Sequence, residues 1–203
     1  MVASALVALA LGASPGFAVW MQPAGTVYAL EESVRFGRGV LYLPLGATVA
    51  LPRSPIEIAA ELTLTAGSET LPNASRGFFG GLLSVGPAFR LSPQPFSGLF
   101  IQPKLIASYL SQSATTPLAY PYFGSGSMVE IGLGVDVGYA LRFGWLYVAP
   151  VIGANVSIAS GDGAPLSSIY AFRPLFAGID PRQRAGLVYW GVNLNLVRVG
   201  GAF

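Results

Sequence analysis

Residues 128–142 alternate with period two. Val129, Ile131, Leu133, Val135, Val137, Tyr139 and Leu141 hold one phase, and Met128, Glu130, Gly132, Gly134, Asp136, Gly138, Ala140 and Arg142 the other. Successive side chains of a strand point to opposite faces, so this segment has one unbroken apolar face and one face of charged and small residues. Residues 146–158 repeat the division, with Leu146, Val148, Pro150, Ile152, Ala154, Val156 and Ile158 against Tyr147, Gly153, Asn155 and Ser157. Phe143-Gly144 between the two predicts a hairpin turn. The same alternation predicts strands over 41–51, 56–66, 79–91, 99–109 and 187–197. In the last of these, Val188, Trp190, Val192, Leu194 and Leu196 oppose Tyr189, Gly191, Asn193 and Asn195.

Which face meets solvent decides the class. The polar faces collect glycine together with seven ionisable residues, Glu57, Glu61, Arg90, Lys104, Glu130, Asp136 and Arg142. Charges paired in a narrow interior need small neighbours, whereas a water-facing surface has no reason to gather glycine. A soluble barrel with its apolar side inward would also need ordinary surface charge. This chain has 20 charged residues (11 Lys+Arg and 9 Asp+Glu) in 203, where a soluble domain carries roughly 50. Mean hydropathy is +0.60. The pattern therefore predicts an all-β, antiparallel, up-and-down transmembrane β-barrel, apolar outward to lipid and polar inward. Residues 143–161 are free of charge and long enough for a membrane helix, but period-two alternation and Pro150 favour strands.

Connections alternate strictly between short (52–55, 92–98, 143–145) and long (67–78, 110–127, 160–186). Short periplasmic turns and long external loops would make the seven visible strands the second to eighth of eight. The remaining strand is expected in 25–30, continuing toward Phe36. Among apolar-face aromatics, Phe79, Tyr109 and Trp190 fall near the long-loop ends and Phe89 and Tyr139 near the short-turn ends, as two interfacial girdles would. Pro44, Pro87, Pro103 and Pro150 each remove a ladder donor, so bulges or strand ends are expected there.

Histidine and cysteine are both absent. That removes Cys/His zinc sites, His-based triads, Cys nucleophiles and disulfides. A net charge of +2 without a Lys/Arg run gives no electrostatic footprint for nucleic acid. The Ser160-Gly161-Asp162-Gly163 tip reads as a turn, since one carboxylate falls far below a Ca²⁺ ligand set. No cofactor, metal or catalytic group is expected. Residues 1–30 carry no charged side chain, and 3–13 form an apolar run of signal-peptide length, with small residues at Gly16 and Ala18. Residues 1–18 are thus expected to be a signal peptide cleaved after Ala18, the other reading being a buried N-terminal strand or helix. Residues 19–203 form one domain.

On these patterns the chain resembles the small eight-stranded outer-membrane β-barrel proteins of Gram-negative bacteria, the OmpX-, OmpW- and OmpA-barrel-like class. The resemblance covers about residues 25–203. Its sharpest motif is the assembly signal of the last strand, which Tyr189, Gly191, Leu194 and Leu196 match in spacing; the chain also ends in Phe203. The match stops seven residues early, and Arg198 falls in phase with the lipid-facing set, so a bulge near Val197 or an ordered tail is expected. The resemblance implies a bacterial outer-membrane location, lipid and the barrel-assembly machinery as partners, and a monomer. It further implies a non-enzymatic barrel whose lumen is filled by the seven charges, with a structural or interaction role through its loops. Enzymes built on such barrels are served by a histidine, which this chain lacks. The alternative is an OmpW-like barrel binding or passing small hydrophobic molecules. Tyr120, Tyr122, Phe123, Tyr170, Phe172 and Phe176 in the long loops are the candidate contacts for such a molecule or an external protein.

Overall fold

The computed structural model describes residues 16–24, 26–27, 30–31, 39–71, 74–114, 125–161, 183–185, 188–193 and 197–203. Its strands are β1 (Phe17–Met21), β2 (Gly39–Ala50), β3 (Ile56–Leu71), β4 (Ala74–Arg90), β5 (Gly98–Ala114), β6 (Gly126–Phe143), β7 (Leu146–Ala149), β8 (Val151–Gly161), β9 (Gln183–Ala185), β10 (Val188–Asn193) and β11 (Arg198–Ala202). Neighbours pair antiparallel, and the sheet closes on itself. Counting β7 with β8 and β10 with β11 as single wall strands gives a ring of eight, closed by β1 between β11 and β2. The short strand β9 adds to the outer edge of β10.

The alternating pattern maps onto the wall as predicted. On β6 every odd residue from Val129 to Leu141 is exposed, while Met128, Glu130, Asp136 and Ala140 are buried. Residues 143–161 are strand and turn. Among the described residues no helix is long and apolar enough to cross a membrane. Ten residues separate exposed Phe79 from exposed Phe89 on β4, and ten separate Val129 from Tyr139 on β6. This apolar belt girdles the ring.

The missing strand lies earlier than expected. It is β1, whereas Thr26, Val27 and Leu30, the described residues of 25–30, have helical backbone. Phe17 and Ala18, before the expected cleavage point, pair with Val49 and Thr48 of β2. Residues 1–15 of the expected signal segment lie outside the described residues. A second correction concerns the loop expected over 67–78: residues 67–71 and 74–78 are strand, and β3 and β4 stay paired as far as Leu71↔Ala74. β5 and β6 likewise continue to Gln112↔Gly126. Past the belt the outward positions become Ser68, Gly77, Ser113 and Ser127, so the apolar alternation stops while backbone pairing continues.

The prolines sit where the ladder can spare a donor. Pro44 faces Gln22, one residue past the end of β1, and accepts from Gln22 N at 3.3 Å. Pro87 and Pro103 fall opposite each other, inside the stretch between Val85↔Leu105 and Phe89↔Ile101 where β4–β5 pairing lapses. Pro150 divides β7 from β8, its carbonyl still accepting from Tyr139 N at 3.1 Å. Opposite Pro150 the register of the last wall strand slips. Asn193 pairs with Gly153 and Arg198 with Ala149, so four residues (194–197) stand against three (150–152). One extra residue is a bulge, and it turns Arg198 inward.

At the short-turn end the interior is lined by Ala18, Ala50, Ala88, Ala140, Ala149 and Ala202, packed around Trp20, Phe96, Phe100 and Tyr147. Small wall residues there leave room for large ones contributed by only a few elements.

Candidate functional site

The interior charges form three groups along the ring. Nearest the short turns, Arg90 of β4 is hydrogen-bonded and ion-paired with Glu57 of β3, both buried. The other Glu57 oxygen accepts from Phe96 N at 3.0 Å, and Arg90 Nη1 donates to Ser97 O at 3.1 Å. The pair thus holds the β4–β5 turn as well as two strands. The Arg90 guanidinium also lies 5.4 Å from the centre of the Phe96 ring.

The central group is built on Asp136 of β6, which is fully buried. Its Oδ2 accepts from Lys104 Nζ and from Arg198 Nη2, both at 2.8 Å. Arg198 Nη1 donates to Gln102 Oε1 at 3.0 Å, and its guanidinium lies 4.3 Å from the Trp20 ring centre. Glu61 lies 3.8 Å from Arg198 Nη2, near enough for ion pairing. Trp20 Nε1 donates in turn to Thr48 Oγ1 at 3.2 Å. Further toward the long loops, Glu130 of β6 accepts from Ser108 Oγ of β5 at 2.7 Å and from Ser157 Oγ of β8 at 3.1 Å.

Strand register explains these meetings. Gln102 faces Asp136, Ser108 faces Glu130 and Lys104 faces Gly134 across β5–β6. Glycine is the necessary neighbour at two points. A Cβ on Gly153 would overlap the Asp136 carboxylate, and one on Gly46 would overlap the Trp20 indole. A charge buried without partners costs several kcal/mol; Glu57–Arg90 and Asp136–Lys104 offset it across adjacent strands, and Arg198 reaches Asp136 from β11, which does not pair with β6.

No family model, curated protein or solved structure matches the chain.

Of the seven interior charges expected from sequence, six are buried in these groups: Glu57, Glu61, Arg90, Lys104, Glu130 and Asp136. Arg142 is not. It is exposed at the β6–β7 turn, where its Nε donates to Gly144 O at 2.9 Å. Its phase points inward, but the wall ends there. Arg198 takes the seventh place, 2 % exposed, because the bulge reverses its phase. Trp20 was hidden by the misplacement of the first strand. Phe17-Ala18-Val19-Trp20 is apolar throughout, so hydropathy gives no period-two signal there, and its exposed/buried alternation exists only in the folded wall. Tyr189 and Gly191 lie in β10 opposite Ser157 and Asn155. Leu194, Leu196, Tyr120, Tyr122, Phe123, Tyr170, Phe172 and Phe176 lie outside the described residues.

Chemically, the arrangement holds charge in place. Each described buried carboxylate is engaged by cations, hydroxyls or a backbone N–H from other wall strands or the β4–β5 turn. Among the described residues no group of three or more His, Cys, Asp or Glu side chains could hold a metal ion.

Proposed function

We propose that the protein is a small outer-membrane β-barrel of the OmpX/OmpW/OmpA-barrel-like kind, lodged in the bacterial outer membrane as a monomer. Its role is structural or interactive and not enzymatic, and the ion-paired side chains fill the lumen as a polar core. The observation that carries this reading is the inversion of the ring: apolar belt outside, charge inside. Ten residues of strand at about 3.3 Å each, tilted by about 40°, give a belt about 25 Å tall, the height of a lipid-facing band. Exposed Phe79 and Tyr109 edge it toward the long loops, and exposed Phe89, Tyr139, Phe143 and Trp145 toward the short turns. Aromatics in two such rows suit the headgroup levels of a bilayer. The partners that follow are membrane lipid and the assembly machinery that inserts such barrels.

Circular dichroism of the detergent-folded chain, taken with gel mobility before and after heating, tests the reading. A β spectrum and a heat-dependent mobility shift are expected. A soluble protein that folds fully without detergent or lipid, or one with a helical spectrum and no shift, would overturn it.

A further inference from the structure

The β4–β5 turn does more than join two strands. Phe96 bends back from it into the end of the ring and is 1 % exposed. It does so with a φ of 55°, in the left-handed region. Asn, Asp and Gly tolerate that region, whereas a bulky aromatic persists there only when its surroundings over-determine it. The surroundings are specific. Phe96 N–H is held by the Glu57 carboxylate at 3.0 Å, Glu57 is itself held by Arg90, and the Arg90 guanidinium lies against the Phe96 ring. The ring enters the alanine-lined pocket beside Phe100 and Tyr147. By contrast Leu91, in the same turn, is 73 % exposed.

We propose that Phe96 is a built-in stopper: Glu57 and Arg90 latch it into an alanine-lined socket, and its withdrawal opens the short-turn end of the charged interior to small solutes. The proposal rests on the closed ring and the latch, and does not need the membrane reading to be true. Strain at Phe96 favours release, and the latch opposes it. The interior is then sealed on this side by a movable side chain and not by the wall.

The chain has no cysteine, so one introduced thiol is the only one that reacts. Ala140 is fully buried in the socket wall, and Arg142, two residues on, is exposed. Ala140→Cys and Arg142→Cys, each in the full chain, are folded in detergent and treated with a small cationic methanethiosulfonate. Labelling rates are read only from the fraction with folded gel mobility, so a lower yield changes the amount and not the rate. The socket thiol of Ala140→Cys is expected to react slowly and the turn thiol of Arg142→Cys quickly. Adding Phe96→Gly, which relieves the backbone while removing the ring, should speed labelling of the socket thiol at least about tenfold, as loss of a local closed state does. Phe96→Asn, with a smaller side chain that tolerates the same φ, should act in the same direction, and Leu91→Ala should not. Equal rates for the socket and turn thiols with Phe96 in place would overturn the proposal. So would a socket-thiol rate unmoved by both Phe96 variants.

Discussion

Arg198 gathers the centre of the interior, bonding Asp136 and Gln102, neighbouring Glu61 and stacking on Trp20. Removing one partner of a buried ion pair strands the other, which typically costs about 3–5 kcal/mol. Asp136 would keep Lys104, so Arg198→Met should lower unfolding stability by about 3 kcal/mol, toward the low end of that range. Arg142→Met, at an exposed turn position, should change it by less than about 0.5 kcal/mol. Denaturant midpoints of the two variants in the same detergent check the contrast, and equal losses would contradict the placement of the two arginines. Gly153 belongs to the same account. Its absent side chain is the space the Asp136 carboxylate occupies, so Gly153→Ala should cost about 1–3 kcal/mol through overpacking.

At the scale of elements, the opposed prolines are the clearest device. Leu91 N donates to Leu99 O at 3.0 Å, so every second pair from there, including Pro87 with Pro103, is a position where two residues would exchange both bonds. Placing both prolines in one such pair confines their loss to a single rung. Pro87→Val together with Pro103→Val restores two donors and should raise stability by about 1–2 kcal/mol, measured again from the denaturant midpoint. Either single change restores one donor and should achieve less. Strands such as β6 were legible in the sequence because outward apolar and inward polar or small residues alternate without a break. Two things were not. β1 is five residues long and merges with an apolar run. The paired ends of β3 and β4 carry serine, threonine and glycine outside the belt, where no hydropathy contrast survives. The phase of Arg198 does signal a bulge near Val197 or an ordered tail, and the register against the partner strand decides for the bulge. The charged site inherited these limits: six interior charges lie on strands with unbroken phase, Arg142, the one misassigned, lies at a wall end, and Arg198 lies beyond the bulge that its phase called for.

For the whole molecule, an outer belt of about 25 Å sets a matching bilayer. If the membrane reading holds, folding yield into vesicles should be highest in lipids of that hydrocarbon thickness and fall as the acyl chains lengthen, because each ångström of mismatch costs a fraction of a kcal/mol. A yield independent of chain length would speak against burial of the belt in lipid. The closure of the ring has a consequence of another kind. It depends on the five residues of β1, paired on one side with residues 45–49 and on the other with residues 199–202. A wall shut by so short a piece has a seam, and the seam joins β1 to β11. When β1 lets go, β2 and β11 become bare edges that fit β1 from any copy, so at high concentration in weakly denaturing detergent the molecule has a defined route to strand-exchanged dimers.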